Sequence, residues 1–366
     1  MNKKQKHLVF TVVNDLTYDQ RMQRICTSLA NAGYRVTLIG RLLPESKPLA
    51  SQNFAQKRLR VGFRKGKMFY IAYNLRLFWH LLWHNYDVYG ATDLDTLLPQ
   101  FLVAKIKGKP HSYDAHEYFA ELPEIVNRPM VKWAWKSLER FIVPRTKYAY
   151  TVNQSYADLF WASYKVKFEL VRNATVLRPI EVPKNKPEKY ILYQGAVNVG
   201  RGIEEMIQAM PYVDCKLYIC GKGDVYQKCV DLVAALGLQD KVRFFGFVAP
   251  NDLRQITLQA TLGFTFFTKE GISYYLSLAN RFFDYFHNAV PQLCVDFPEY
   301  RRINEQFEVA CLLGNLAPIT IAEAVNKLLQ NEAYYQRLQQ NCLQARTHIN
   351  WAAQEKNLLA VYKQMD

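Results

Sequence analysis

The chain has 366 residues, half of them apolar and 22% charged, which supplies core for two ordinary domains and excludes a disordered chain. The net charge of +15 is lopsided: residues 1–178 hold 28 Lys and Arg against 13 Asp and Glu, whereas residues 179–366 hold 19 against 19. No apolar run approaches the roughly 20 residues that span a bilayer, and the seven cysteines show no CxxC or zinc spacing, as expected of small core residues in a reducing, cytoplasmic setting.

The amino terminus, MNKKQKHLVFTVVND, opens like a signal peptide, but its apolar run is too short for one and charge returns at Asp15. His7–Gly40 instead reads as strand, polar loop, helix and strand. Leu8–Val13 is the first apolar run, and Asn14–Asp19 the loop. Met22, Ile25 and Leu29 share one helix face, Gly33 stops the helix, and Val36–Ile39 is the next strand. A basic segment follows, with Lys57, Arg58, Arg60, Arg64, Lys65 and Lys67, and no acid occurs between Glu45 and Asp87. It leads into a helix over Met68–His84 that carries Trp79 and Trp83. A basic, tryptophan-bearing helix suits an anionic membrane surface; a helix apolar nearly all round also suits burial against a sheet.

Further strands are expected at Asp87–Gly90, Ser112–Tyr113, Tyr148–Val152 and Phe168–Val171, with helices near Thr96–Lys107, Met130–Phe141 and Ser155–Ser163. Asp93-Leu94-Asp95 has a spacing that serves either a divalent cation or a helix cap. In SYDAHE, Asp114, His116 and Glu117 follow a strand. A histidine between carboxylates has its pKa raised and can handle a proton or a hydrogen bond.

Residues 179–189, rich in proline and charge, read as a linker between a first domain (1–178) and a second (190–348). The second domain repeats the opening of the first. Ile191–Tyr193 is a strand, and GAVNVGRG (Gly195–Gly202) a glycine loop. A helix starts at Ile203, and Lys216–Cys220 is a strand ending at Gly221. The loop misses a P-loop at two positions: Arg201 stands at the lysine and Gly202 at the magnesium-binding hydroxyl. It can bind a diphosphate through amides and Arg201 without NTPase metal chemistry, or serve as a tight turn. Strands near Val242–Phe245, Gly263–Thr268, Gln292–Val295 and Ala310–Leu313 follow. In KEGISYYLSLANRFFDY, Glu270 follows a strand, and Asn280, Arg281 and Asp284 begin a helix. Glu270 and Asp284 could accept hydrogen bonds from sugar and ribose hydroxyls, or the helix residues could serve only as caps. A last helix, within 349–366, is expected to pack back on the first domain. No dinucleotide fingerprint follows Val13, which argues against NAD.

These segments together resemble family 4 glycosyltransferases of the GT-B fold. VVNDLTYDQRMQRICTSLANAGYRVTLIG is similar to the family's opening unit, YDAHEYFAELPE to its histidine segment, YQGAVNVGRGIEEMI to its phosphate loop, and LANRFFDY to its "PNKxFEY" donor helix. The resemblance implies two facing Rossmann-like α/β domains with parallel sheets and a cleft between them. It implies transfer of a sugar from a nucleotide diphosphate sugar to a saccharide or lipid-linked acceptor, with retained configuration, no tightly bound cofactor and no obligatory metal.

Carried over by residue, the resemblance gives catalytic roles to His116, Glu270 and Arg201. It puts Asn14, Gly195, Arg201, Gly202, Gly221, Glu270, Asn280, Arg281 and Asp284 on the donor. Asp93, Asp114 and Glu117 are acceptor-side candidates. Three departures stand out: Ala196 where the family often has arginine, Thr92 where it often has histidine before the aspartate, and thirteen residues between Glu270 and Asp284 where it usually has seven. A sugar-nucleotide epimerase of the same architecture and an inactive scaffold are the alternatives; no nucleic-acid module is present.

Overall fold

The computed structural model describes residues 5–64, 66–183, 186–269 and 271–366, with Pro123 and Glu124 described for their backbone alone. The chain divides into two compact units, Met1–Asn173 with Trp351–Asp366, and Ala174–Asn350. The segment expected as a linker is grouped with the second unit.

Unit 1 is built on β1 (His7–Thr11), β2 (Arg35–Leu42), β3 (Ala55–Arg60), β4 (Val88–Thr92), β5 (His111–Ala115), β6 (Tyr148–Thr151) and β7 (Glu169–Leu170). The order is β3-β2-β1-β4-β5-β6-β7, and every pairing is parallel. Unit 2 repeats the plan with β8 (Tyr190–Gln194), β9 (Lys216–Cys220), β10 (Val242–Gly246), β11 (Leu262–Thr265), β12 (Gln292–Val295) and β13 (Ala310–Leu313), in the order β10-β9-β8-β11-β12-β13, again all parallel. In each sheet the chain runs outward over three strands and then returns beside the first. The order reverses between β1 and β4, and between β8 and β11. Loops leaving the carboxyl ends at such a reversal splay apart, and this is where open parallel sheets bind ligands. Asn14 and Asp93 leave the first reversal; the glycine loop and the segment around Phe266–Thr268 leave the second.

Strand alternation sets the two faces of the unit 1 sheet. Leu8, Phe10, Val36 and Leu38 meet the helix Gln20–Asn31 and the carboxyl-terminal helix Trp351–Lys363, whose Trp351 indole donates to Ser28 Oγ at 2.9 Å. Val9, Ile39 and Tyr89 meet the helix Gly66–Trp83 through Phe69, Tyr73, Leu77 and Leu81. Those four lie one turn apart, and each such buried side chain contributes about 1.5–3 kcal/mol. The helix thus buries one narrow stripe, and its opposite face stays exposed.

Two sequence expectations need correction. The basic segment contains β3, AQKRLR, an edge strand whose charged composition hides it in the sequence; charge on an edge discourages pairing with other chains. Arg58, expected at a membrane surface, instead reaches inward. It donates to the Asp15 carbonyl at 2.5 Å, the Lys47 carbonyl at 2.6 Å and Thr17 Oγ1 at 2.7 Å, tying down the loop after β1. Lys65 lies outside the described residues.

Candidate active site

The glycine loop and the loop after β9 are held backbone to backbone. Gly195 N–H donates to the Cys220 carbonyl, Val197 N–H to that of Lys222 and Val225 N–H to that of Val197, each at 3.0 Å. A Cβ at Gly221 would stand 1.8 Å from the Gly195 carbonyl oxygen. Gly202 is left-handed, with φ of 66°, and a Cβ there would meet Phe266 Cβ at 2.3 Å. Thr268 N–H closes the arrangement by donating to the Gly200 carbonyl at 3.0 Å. Glycine is therefore required by contact at Gly221 and by both contact and φ at Gly202. Gly202→Ala is expected to lower unfolding free energy by about 1–3 kcal/mol, read by chemical denaturation. The helix that follows, Ile203–Ala209, has Glu204 and Glu205 in its first turn, so its own acids answer its dipole. An anion at this loop would rely on amides and arginines.

Two arginines converge on Phe267. The Arg201 guanidinium lies 4.7 Å from the ring centroids of both Phe267 and Tyr274. The Arg281 guanidinium lies 4.8 Å from Phe267 and 4.9 Å from Tyr193. Arg281 is only 6% exposed and donates to the Phe266 carbonyl at 3.0 Å, and a Cβ on Gly195 would sit 3.6 Å from its Nη1. Neither arginine has a carboxylate partner among the described residues, and the Nε of each is buried without a hydrogen bond. Unpaired guanidinium at a strand-end glycine loop is electrostatically costly unless an anion arrives. Asp284, one turn beyond Arg281, accepts from Thr175 Oγ1 at 2.8 Å and from Gln194 Nε2 at 3.0 Å. The helix Asn280–His287 has Ala279 as N-cap with no side-chain cap, so Asp284 does not cap it. Glu270 lies outside the described residues.

In unit 1, Asp93 and His116 leave adjacent strands. Asp93 adopts φ of 58°, unusual for a side-chain-bearing residue. The turn aims its carboxylate across to the end of β5: Oδ1 accepts from the His116 and Glu117 amides at 3.0 and 3.2 Å, and Oδ2 lies 3.3 Å from His116 Nδ1. Burial lowers the histidine's proton affinity, but the Asp93 and Glu117 carboxylates outweigh it and raise the pKa to about 9. At neutral pH the ring is a cation that donates hydrogen bonds. Its folded pKa exceeds the unfolded value near 6.5, so its stabilising contribution is full below that pH and is lost as pH rises through about 9. An NMR titration of the ring is expected to show a midpoint near 9, moved toward 6.5 in Asp93→Asn, which retains the left-handed turn and an amide acceptor.

Asp114 is not available to an acceptor. It is 1% exposed, and both its oxygens are taken by Arg21, from Nε at 2.8 Å and Nη2 at 2.6 Å. Asn14 stands exposed after β1; its Oδ1 accepts from the Leu16 amide at 2.9 Å, and its Nδ2 donates to Asp19 Oδ2 at 2.5 Å. Sequence reasoning missed Phe267 and Tyr274, the aromatic seats of the arginines. Their one sequence signal is an aromatic at each flank of the KEG loop. Among the described residues, no cluster of three His, Cys, Asp or Glu side chains could hold a metal ion.

Residues 178–344 match the family model described as glycosyl transferases group 1. The match covers less than half of the chain; it coincides with the second sheet and includes the glycine loop, both arginines and Asp284. An uncharacterized glycosyltransferase of Methanocaldococcus jannaschii is 40% identical over 73 residues, a match covering 19% of this chain and 19% of that relative. Among solved structures, sucrose-phosphate synthase from Thermosynechococcus elongatus superposes with a TM-score of 0.82 at 15% identity, over 99% of both chains. Anabaena HepE in complex with UDP-glucose gives 0.77 at 12%, over 98% of this chain and 100% of that one. WaaG, a glycosyltransferase involved in lipopolysaccharide biosynthesis, gives 0.71 at 15%, over 97% and 99%. The two parallel-sheet Rossmann-like units are thus those of GT-B structures.

Proposed function

We propose that the protein transfers a glycosyl group from a nucleotide diphosphate sugar to a saccharide or lipid-linked saccharide, with retained anomeric configuration, as in family 4. The observation that carries this is the pair of arginines, Arg201 and Arg281, beside the glycine loop of unit 2, neither with a carboxylate partner among the described residues. The UDP-glucose bound by HepE supports a donor of that class.

Charge accumulates on the diphosphate as the glycosidic bond to the anomeric carbon breaks. Guanidinium groups and loop amides fixed in place before the reaction stabilise that charge more than they stabilise the bound donor. Asp284 would take the ribose hydroxyls. Glu270 and Asn280 would contact the donor sugar end. Unit 1 would hold the acceptor, with Glu117 and Asn14 as further contacts. There, protonated His116 would donate a hydrogen bond to a sugar oxygen rather than act as a base, because Asp93 keeps it charged. The basic balance of residues 1–178 suits an acceptor presented at the cytoplasmic face of an anionic membrane.

A thermal-shift panel of nucleoside diphosphates and their sugars tests the donor. A ligand at a hundred times its Kd is expected to stabilise the fold by about 2.7 kcal/mol. No shift with any diphosphate at millimolar concentration would remove the proposal. Product formed without an acceptor would instead indicate an epimerase.

A further inference from the structure

We infer that Thr175 and Gln194 are positioning residues that set the Asp284 carboxylate for a ribose diol, and hence that the donor is a ribonucleoside diphosphate sugar rather than a 2′-deoxyribonucleoside one. This rests on the reading of unit 2 as the donor site. The two oxygens of Asp284 are held from two elements. Thr175, the second residue of unit 2, donates its hydroxyl to Oδ1 at 2.8 Å, and Gln194 donates Nε2 to Oδ2 at 3.0 Å. Rotation of a carboxylate about its last bond is otherwise soft, so a donor on each oxygen fixes the plane of the group. Both donors are neutral, and they orient the carboxylate without cancelling its charge. An ionised carboxylate has about four acceptor sites, enough for two internal donors and a diol.

Gln194 is itself held. It is the last residue of β8 and 6% exposed, and its Oε1 accepts from the buried Thr257 Oγ1, on the helix Pro250–Gln259, at 2.7 Å. Turned over, the amide would set its oxygen against the carboxylate, so charge decides its orientation. The residue after Gln194 is Gly195, which opens the glycine loop. One turn before Asp284, Arg281 places Nη1 3.6 Å from where a Cβ on Gly195 would stand. The oriented carboxylate and the proposed diphosphate seat thus share one strand end. Side by side, they answer the two polar parts of a ribonucleoside diphosphate. A 2′-deoxy nucleotide leaves part of a prearranged acceptor unanswered, which a site built for the hydroxyl rejects.

The test is isothermal titration of the full chain with UDP, GDP, ADP and CDP, each against its 2′-deoxy counterpart, and with thymidine diphosphate. Wild type is expected to bind at least one ribonucleotide about tenfold or more tighter than its deoxy form. Thr175→Val and Gln194→Met keep side-chain shape, and each is expected to cut that ratio to about threefold. Gln194→Met leaves the Thr257 hydroxyl an acceptor, the Leu253 carbonyl at 2.8 Å. Thr175→Ser, which keeps the hydroxyl, should keep the ratio. General damage to the fold weakens both nucleotides alike and leaves the ratio where it was. Equal affinity for the ribo and deoxy forms in wild type overturns the inference, as does a wild-type ratio in either the valine or the methionine variant; in both cases nucleotide binding persists and the donor reading stands. If no diphosphate binds at all, the donor reading fails and this inference with it.

Discussion

Arg201→Ala is expected to slow sugar transfer by roughly 10²–10³-fold while the protein remains folded. The guanidinium lies against Phe267 and Tyr274 at 4.7 Å, and its Nε has no partner. Losing the ring contacts costs about 0.5–2 kcal/mol of stability, a small part of what holds unit 2. The charge matters most when the diphosphate leaves, because its negative charge is then largest. The loss should therefore fall on kcat more than on KM. Arg201→Lys separates charge from shape: it retains a point charge but not the two-pronged donor, so its rate is expected between those of wild type and the alanine variant. Arg281→Ala should lose transfer too, with a larger loss of stability, since that side chain is buried between rings. Turnover near that of wild type in folded Arg201→Ala would refute its role. Transfer at wild-type rate in both alanine variants would refute the site.

What was legible in the sequence is what local chemistry encodes. Gly202 and Gly221 announce themselves because a side chain there would strike Phe266 or the Gly195 carbonyl, and Gly195 because its positive φ favours glycine. The repeated strand, loop and helix gives the parallel sheets, because a short apolar run followed by an amphipathic helix can bury itself only by crossing over. Arg201 was visible by its place after Gly200. What stayed hidden depends on partners distant in sequence. β3 reads as a charged loop because an edge strand buries little. Phe267 and Tyr274 look like core aromatics until two arginines are seen against them. Asp93 looked like a cap or a metal ligand. Only the fold puts β4 beside β5 and turns its carboxylate to His116. The exposed stripe of Gly66–Trp83 could not be told from a buried one, since periodicity shows that a helix has faces but not which of them the sheet covers.

Asp114→Ala is expected to destabilise the protein by about 3–5 kcal/mol, the largest effect on folding of any change considered for unit 1. Sequence alone placed this carboxylate with the acceptor because it sits two residues before His116. The fold gives it another task. Arg21, 93 residues away in sequence, reaches it with two nitrogens and donates its third, Nη1, to the Val171 carbonyl at 3.0 Å. One bidentate pair thus ties the first helix to β5 and to the chain leaving β7. Side-chain exposures of 3% and 1% leave no water to take over if either partner goes. Removing the acid strands a guanidinium in the interior, and that uncompensated charge dominates the loss. The double variant Arg21→Met with Asp114→Leu is therefore expected to recover most of the stability, because it removes the charge along with its partner. Urea denaturation of the two single variants and the double variant gives the coupling directly. Transfer per folded molecule separates the two tasks: a structural carboxylate leaves it near wild type in the double variant. If Asp114→Ala folds as stably as wild type but no longer transfers sugar, the carboxylate belongs to the acceptor after all.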